Sequence, residues 1–365
     1  MVDLDIEIAG LRFRNPVFTA AGPTSRDGMT LLNAAAGGAG GLVAKTVSVR
    51  PAEVPKPNMA AVANTRVGSR RGMLNAELWS ELPLEQWLER EYAIALSSTL
   101  PLIASLGYTP EEVSKIAPKI EAAGVHALEF STHYVGGHVD IAKALRESVD
   151  IPIFAKLSPK VDVAAVAKEV EPYVDGIVAI NSFGPCLRIN IETGRPMLGS
   201  EQGLGWMSGA AIKPIAMKCV ADIANTVDLP VIAVGGVSSG TDAIEFVMAG
   251  ASAVEVCTAS IMEGQTVYGQ IAGEMEDWLE NHGYDSVLDI KGLALKHLGD
   301  PVDLTEEPMV DLEKCTLCGL CPKSCVYHAI TVDKKKNIFF IDEEKCQRCG
   351  MCISVCPYNA LSVGT

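Results

Sequence analysis

The feature that most constrains this sequence is a pair of cysteine runs close to its C-terminal end. The first run, CTLCGLCPKSC, begins at Cys315, and the second, CQRCGMCISVC, begins at Cys346. Both runs have the spacing C-x2-C-x2-C-x3-C, and together they contain eight of the eleven cysteines. The eight are Cys315, Cys318, Cys321, Cys325, Cys346, Cys349, Cys352 and Cys356.

The net charge and the distribution of apolar residues indicate the compartment of the protein, and with it the redox state of these thiols. The 365-residue chain has a formal net charge of −15, so neither nucleic acid nor an anionic membrane is expected as its partner. Its start, MVDLDIEIAG, lacks a basic segment followed by an apolar run, and no apolar stretch reaches about 20 residues. We therefore expect a cytoplasmic protein, in which dense cysteines ligate metal rather than form disulfides.

The spacing of the two runs is typical of iron–sulfur ligation. Two-residue gaps let three thiolates close on one face of a cubane, and the fourth cysteine of each run ligates the other cluster. This predicts one [4Fe–4S] cluster on Cys315, Cys318, Cys321 and Cys356, and a second on Cys346, Cys349, Cys352 and Cys325. A pair of zinc knuckles is the weaker alternative, because zinc sites use ligand pairs separated by a longer spacer. Residues 309–363 resemble a two-cluster bacterial ferredoxin domain, an α+β unit.

Two such clusters make a one-electron relay, which needs a converter before it can act on two-electron organic chemistry. Flavin is the cofactor that exchanges both one and two electrons. The question is then whether the preceding 290 residues can bind one.

Eight short apolar runs alternate with mostly helix-length segments in this part of the chain. Eight β/α units predict a (β/α)8 barrel, an α/β fold whose active site lies at the carboxyl ends of the strands. The runs are PVFTA (16–20), GLVAKT (41–46), PLIASL (101–106), HALEFS (126–131), IPIFAKL (151–157), GIVAIN (176–181), LPVIAVGG (229–236) and AVEVCT (253–258). We predict a barrel domain over 1–290, a linker over 291–308 and the iron–sulfur domain over 309–365.

A doubly wound open sheet is the alternative architecture. Its dinucleotide fingerprint is missing, because the cluster GGAGG (37–41) precedes an apolar run rather than following one. The chain is therefore not expected to bind NAD(P) itself.

Polar and small residues follow the predicted strands where a barrel places its active site. Lys45 and Lys156 stand within or just after apolar runs, and a glycine pair, Gly235 and Gly236, follows the seventh run. Loops after strands seven and eight commonly hold phosphate through backbone N–H groups. Two cations beside a flavin would stabilise its anionic reduced form.

At this point a family resemblance is visible along essentially the whole chain. The segments NPVFTAAGPT, AKTVS, LNAELWS, IPIFAKLSP, AINS, IETGRPMLG, MSGAAIKPIA, VIAVGGVSSGTDA and GASAVEVCTA resemble the class 1 dihydroorotate dehydrogenases. With its tail, the chain is similar to the dihydropyrimidine dehydrogenases, in the bacterial form where this part is a separate subunit. The resemblance implies FMN on the barrel and an oxidoreductase that acts on a CH–CH group.

The resemblance also implies roles for individual residues. It implies FMN contacts from Ala20, Ala21, Lys45, Thr46, Lys156, Gly209, Gly235, Gly236, Cys257 and Thr258. It implies substrate contacts from Asn75, Glu77, Ser131, Asn181 and Ser182.

One loop departs from the family pattern. After the fourth strand the family reads N-L-S-C-P, in which the Asn binds substrate and the Cys transfers a proton. Here Ser131 replaces the Asn and Tyr134, beside His133, replaces the Cys. A phenol is a ready general acid at neutral pH, so we predict Tyr134 as the proton donor, with His133 as its rival or partner.

Two arginines, Arg70 and Arg71, lead into the LNAELWS segment and could meet an anionic substrate group. The resemblance implies a dihydropyrimidine or dihydroorotate as the default substrate, and the arginines and the changed loop motivate an anionic cyclic or acyl-CoA enone as the alternative. A second alternative is an electron-transfer subunit without a substrate of its own.

Without an NAD(P) site, the chain is expected to exchange electrons with a ferredoxin or an NAD(P)H-oxidising flavoprotein subunit. A homodimer or hetero-oligomer is the family's usual assembly.

Overall fold

The computed structural model describes residues 2–62, 72–132, 137–300 and 307–363. The chain divides into two compact units, Met1–Leu298 and Gly299–Thr365. The boundaries proposed from the sequence, with a linker over 291–308, stay a prediction.

The first unit is built on eight parallel strands, and each coincides with one of the eight apolar runs. We number them β1 to β8 along the chain. They are β1 Val17–Thr19, β2 Leu42–Val43, β3 Leu102–Leu106, β4 Ala127–Ser131, β5 Ile153–Leu157, β6 Gly176–Ala179, β7 Val231–Val234 and β8 Ala253–Val256. The predicted fold class, a (β/α)8 barrel, is confirmed.

The strands follow one another around the sheet in the order β1-β8-β7-β6-β5-β4-β3-β2. The sheet closes between β1 and β2, where Phe18 bridges Gly41 and the Thr19 N–H donates to the Gly41 carbonyl at 3.2 Å. The Thr19 hydroxyl completes the seam, because it donates to the Val43 carbonyl and accepts from the Val43 N–H. Closure rules out the doubly wound open sheet.

Helices alternate with the strands and cover the outside of the sheet. They are α1 Gly28–Ala36, α3 Pro110–Ala122, α4 His138–Arg146, α5 Val163–Val170, α6 Lys213–Ala224, α7 Gly240–Met248 and α8 Val267–Asn281, with α2 made of Leu84–Gln86, a π-helical turn at Trp87–Glu91, and Tyr92–Leu96. A shorter helix, Thr258–Glu263, precedes α8. Side chains of Asp27, Thr109, Asp162 and Ser239 accept from backbone N–H groups at the starts of α1, α3, α5 and α7.

The strands are mostly apolar on both faces because both faces are covered. All five residues of β3, β4 and β5 are buried. Parallel strands packed between helices and a filled barrel interior have this continuous hydrophobic pattern, which is why the sequence predicts them well.

A second sheet, which the sequence analysis did not predict, is inserted in the first unit. Four antiparallel strands, Met59–Ala61, Met73–Asn75, Leu204–Ser208 and Phe183–Leu187, come from the segments after β2 and β6. Asn75 pairs with Trp206 in this sheet. Two small hairpins, Ile6–Ile8 with Leu11–Phe13 and Ile189–Asn190 with Arg195–Pro196, complete the unit.

The second unit is a small α+β structure with an internal repeat. Its strands pair antiparallel as Met309–Val310 with Leu361–Ser362 and as Ile330–Asp333 with Ile338–Ile341. Its two short helices are Leu320–Ser324 and Met351–Ser354. This is the predicted ferredoxin-like architecture.

None of the helices in the described part of the chain combines the length and the apolar character needed to cross a membrane.

Candidate active site and iron–sulfur centres

One cavity lies at the carboxyl ends of the barrel strands. Fifteen of the residues predicted for cofactor or substrate line it. They are Ala20, Ala21, Lys45, Thr46, Asn75, Glu77, Ser131, Lys156, Asn181, Ser182, Gly209, Gly235, Gly236, Cys257 and Thr258. The structure thus brings these residues together, and their individual roles stay predictions.

The wall near β7 and β8 presents backbone rather than side chains. Gly235 and Gly236 have φ angles of 128° and 94°, in the region that favours glycine. A Cβ on Gly236 would come within 2.6 Å of the Lys213 side chain, so the loop has no room for a larger residue. Such a bare loop suits close approach of a phosphate to the main chain.

Lys45, just after β2, is held by an ion pair at the edge of the cavity. Its ammonium lies 2.5 Å from Glu77 Oε2, and the Asn58 amide donates to the other oxygen of that carboxylate. Asn75 donates to the Trp206 carbonyl at 3.1 Å and accepts from the Glu77 N–H at 3.2 Å. The inserted sheet therefore fixes Asn75 and Glu77 over the barrel mouth.

A hydrogen-bonded pair joins the ends of β4 and β6. The Asn181 amide donates to the Ser131 hydroxyl at 3.0 Å, and the carbonyl oxygen of the same amide accepts from the Ser182 N–H at 2.8 Å. The orientation of the Asn181 amide is fixed by these two bonds. Polar atoms from distant parts of the chain thus converge where a planar, hydrogen-bonding ligand could lie.

A buried lysine lies between two glutamates inside the barrel. The Lys156 ammonium is 2.7 Å from Glu255 Oε2 and 3.3 Å from Glu129 Oε2. Burial by itself lowers the pKa of Lys156, and the two carboxylates outweigh it, so that pKa is raised above its ordinary value. Burial, with Glu129 next, raises the pKa of Glu255 well above its ordinary value. The sequence analysis identified Lys156 but neither glutamate.

Cys257 and Thr258 follow β8 on the same wall. Burial raises the pKa of the Cys257 thiol, although Lys45 and Lys156 lower it. Thr258 donates to the hydroxyl of Ser208, another lining residue that the sequence analysis missed, at 2.9 Å. A raised thiol pKa favours a neutral contact over a nucleophile.

Four predicted site residues, His133, Tyr134, Arg70 and Arg71, lie outside the described residues. The chain on each side of the first two is anchored, because the Thr132 hydroxyl is hydrogen-bonded to the His138 imidazole. The side chains of Thr132 and His138 are buried, and burial lowers the pKa of His138.

The second unit contains two cavities, each lined by four cysteines. Cys315, Cys318, Cys321 and Cys356 line one, and Cys325, Cys346, Cys349 and Cys352 line the other. The structure thereby groups the fourth cysteine of each run with the first three of the other run, and the assignment of one cluster to each group stays a prediction.

The two runs have matching backbones, which accounts for the symmetry of the cavities. Leu317 and Arg348 both have a φ of 53°, and Gly319 and Gly350 have φ angles of 74° and 75°. In each run the fourth thiol accepts a 3.4 Å hydrogen bond, from the Ala329 N–H to Cys325 and from the Ala360 N–H to Cys356.

The donor set fits an iron–sulfur cluster. Burial and neighbouring thiols raise the pKa of Cys321 to about 11, so four thiolates need a cationic centre among them. Among residues 2–62, 72–132, 137–300 and 307–363, no three His, Cys, Asp or Glu side chains are arranged around a single metal ion. Cavities bounded by four thiols suit a cubane better than a zinc ion.

Comparisons with known proteins agree with this description. A family model described as "Dihydroorotate dehydrogenase" matches residues 115–279, and one described as "4Fe-4S dicluster domain" matches residues 314–360. These matches define the class as a barrel oxidoreductase with an iron–sulfur domain, and they support a flavin as the barrel cofactor.

Curated relatives give the family. The chain is 35% identical over 307 residues to a protein of Methanothermobacter thermautotrophicus named "Dihydroorotate dehydrogenase B (NAD(+)), catalytic subunit", a match over 80% of this chain and 98% of that protein. Identically named proteins of Pyrococcus abyssi and Pyrococcus furiosus are each 33% identical, covering 80% and 81% of this chain and 99% and 100% of their own. The chain belongs to the dihydroorotate dehydrogenase family, oxidoreductases that act on a CH–CH group.

The raised pKa of Glu255 predicts how stability depends on pH. The unfolded chain releases this proton above about pH 4.5, the ordinary value, while the folded protein keeps it up to its higher pKa. Stability from this group is therefore lost as pH rises across that window, by about 1.4 kcal/mol per pH unit. We expect Glu255→Gln to remove this loss.

The measurement is denaturant unfolding from pH 5 to pH 8, followed by tryptophan fluorescence, since all four tryptophans lie in the barrel. Glu53→Gln, at an exposed position, controls for the change of net charge. Equal pH profiles for wild type and Glu255→Gln would show that Glu255 is not protonated in the folded protein.

Proposed function

We propose that this protein is an FMN- and iron–sulfur-dependent oxidoreductase that forms or removes a C=C bond conjugated to a carbonyl. The observation that supports this most is the single cavity that gathers fifteen predicted contacts at the carboxyl ends of the strands. Family membership supports the same chemistry.

The residues present fit FMN. The bare loop at Gly235 and Gly236 would accept the phosphate, the small Ala20 and Ala21 would leave room for a flat ring, and Lys156 would stand near it as a cation. When bound, FMN supplies hydride exchange with the substrate carbon and one-electron exchange with the clusters. Asn75, Glu77, Asn181 and Ser182 would orient the substrate through hydrogen bonds.

The proton on the neighbouring carbon needs a side-chain acid or base. We assign this role to Tyr134, with His133 as its rival, because Tyr134 occupies the position at which the family has a cysteine. Thr132, two residues before it, is hydrogen-bonded through its hydroxyl to the imidazole of the buried His138.

The tail would connect the barrel to an electron partner through two [4Fe–4S] clusters. The match to the first relative covers 98% of that protein and only 80% of this chain, so about a fifth of this chain has no counterpart there. We infer that this fifth includes the dicluster domain at 314–360. The relatives' name, "catalytic subunit", implies a second subunit, and here a ferredoxin or a flavoprotein subunit would serve as the electron partner. We propose a cytoplasmic homodimer or hetero-oligomer.

Dihydroorotate is the first substrate to consider, because it is in the relatives' name. Ser131 and Tyr134 depart from the family pattern in the loop after β4. Because of this difference, a dihydropyrimidine and an anionic cyclic or acyl-CoA enone are the alternative substrates. An electron-transfer subunit without a substrate is disfavoured by the hydrogen-bonding groups that line the cavity.

The substrate assignment predicts anaerobic bleaching of the flavin by dihydroorotate. Protein loaded with FMN, iron and sulfide is mixed with dihydroorotate, dihydrouracil and dihydrothymine in turn, and flavin absorbance is recorded. We expect Asn75→Ala to raise the dihydroorotate concentration that gives half-maximal bleaching by about 10- to 100-fold, since a lost hydrogen-bonding partner costs about 1–3 kcal/mol. Asn33→Ala, on the exposed side of α1, is the control.

No bleaching in fully loaded protein would contradict the pyrimidine assignment. Reoxidation of the reduced enzyme by unsaturated cyclic acids or their coenzyme A thioesters would then favour the enone alternative. Failure of every compound would favour the electron-transfer subunit.

The proton-transfer assignment predicts unequal effects of two substitutions. Tyr134→Phe should slow substrate-dependent flavin reduction by about 10²- to 10⁴-fold, the usual contribution of a general acid or base. His133→Gln should slow it by less than about tenfold if the imidazole is only a neighbour. Stopped-flow absorbance gives both rates, and Tyr284→Phe outside the cavity is the control. A larger loss in His133→Gln would transfer the role to His133.

The ligand grouping predicts a crossed pattern of iron loss. Cys356→Ser should lower iron from about eight to about four atoms per chain, because it breaks one cubane. Adding Cys315→Ala should remove little more iron, since both belong to one predicted cluster, whereas adding Cys346→Ala should remove the rest. Iron analysis and electron paramagnetic resonance report the outcome, and Cys219→Ser, in the barrel, is the control. The opposite pattern would mean that each run holds its own cluster.

A further inference from the structure

The barrel interior contains three buried ionisable side chains that meet below the cavity mouth. Glu129 comes from β4, Lys156 from β5 and Glu255 from β8, and all three line the cavity. Their exposed fractions are 1%, 6% and 1%. Three separate strands thus direct charged groups to one buried point.

The charges of this triad do not balance if both carboxyl groups are ionised. One ammonium would face two carboxylates, leaving a net negative charge out of contact with water, which is costly. Each carboxyl group also has one oxygen, Glu129 Oε1 and Glu255 Oε1, that is buried and has no hydrogen-bond partner. Both carboxyl groups contact the same ammonium, and one proton held by this close pair balances the charge and gives a buried oxygen a hydrogen to share.

The other ionisable groups that face the triad do not change this count. Lys45 on the β2 side is paired with Glu77 from the inserted sheet, so the two compensate each other. The Cys257 thiol, at the end of β8, is neutral because burial raises its pKa. Among the residues described as lining the cavity, the triad is therefore the group whose protonation, and so whose net charge, can change when a charged ligand binds.

We propose that Glu129, Lys156 and Glu255 form a proton-storing triad, which holds one shared carboxyl proton when the barrel cofactor is oxidised and binds a second when it is reduced. This inference rests on the proposed flavin. A bound flavin that accepted a hydride from the substrate would gain two electrons and one hydrogen, and its ring would carry a negative charge. The second carboxyl proton would come from solvent, and when the two electrons leave for the clusters this proton and the one carried by the ring would both return to solvent.

The physical reason is the low dielectric of the site. Charge on a nearby ring interacts strongly with a buried carboxylate, and protonating that carboxylate removes the repulsion. The triad would then change from neutral to a net charge of +1 as the ring gains its negative charge. Lys156 stays an ammonium throughout: a carboxylate raises its pKa while the ring is oxidised, and the negative charge of the reduced ring would do so once both carboxyl groups are protonated.

The test is the pH dependence of the flavin midpoint potential in the intact, loaded protein, measured by spectroelectrochemistry from pH 6 to pH 8. Each proton taken up with two electrons contributes about 30 mV per tenfold change in proton concentration. One proton is taken up on the ring and one by the triad, so we expect a slope of about 60 mV per pH unit.

Substitutions separate the two protons. Glu255→Gln leaves one carboxyl group to take up the proton, so the slope should stay near 60 mV per pH unit. The double variant Glu129→Gln with Glu255→Gln has no carboxyl group left, and its slope should fall to about 30 mV per pH unit. Glu53→Gln controls for surface charge. A wild-type slope near 30 mV, or an unchanged slope in the double variant, would overturn the proposal.

A second measurement does not depend on the flavin. Infrared spectra of the flavin-free protein at pH 7 should show a protonated carboxyl band that is lost in Glu255→Gln, because the remaining Glu129 then pairs with Lys156 in ionised form. Circular dichroism establishes that the variant is folded. If no such band exists, the triad is not protonated and the proposal fails, whereas a protein that shows the band but binds no flavin contradicts the proposed function instead.

Discussion

Closure of the parallel sheet is the constraint on which the rest of the structure depends. The seam between β1 and β2 is made by the Phe18–Gly41 bridge and by the two hydrogen bonds of the Thr19 hydroxyl to Val43. Because all strands run the same way around a closed sheet, their carboxyl ends form a single rim. Residues as distant along the chain as Ala20 and Thr258 therefore border one cavity.

Closure also determines which charges meet inside. The register that pairs Ser131 with Lys156 places Glu129 two residues before the pairing, on the same side of the sheet. Glu255 reaches the same point from β8, across the barrel interior. An open sheet would leave these side chains far apart, so the buried Glu–Lys–Glu arrangement is a property of the barrel and not of any local segment.

The sequence predicted most of the barrel because buried parallel strands have a simple signature. Each of the eight apolar runs became a strand, since a segment covered on both faces is mostly apolar. The inserted sheet was missed because its strands are short and partly exposed, as Met59–Ala61 is, and lack a clear alternation. Glu129 and Glu255 carried a usable signal, a charge within a run such as HALEFS or AVEVCT. The sequence could not show which charged side chains Glu129 and Glu255 contact, because strand register and barrel closure determine those contacts.

The cysteine tail was predictable in greater detail than the active site, for a physical reason. Three ligands of each predicted cluster are separated by only two residues, so local spacing brings them together, and the repeated run supplies the fourth. Substrate chemistry instead depends on side chains supplied by eight loops and an inserted sheet. In the proposed function, a one-electron relay is joined to a two-electron site, which raises a problem of charge, because electrons would leave singly while the ring's negative charge would have to be balanced at each stage. A buried carboxyl pair beside a permanent cation can balance that charge without moving any part of the fold.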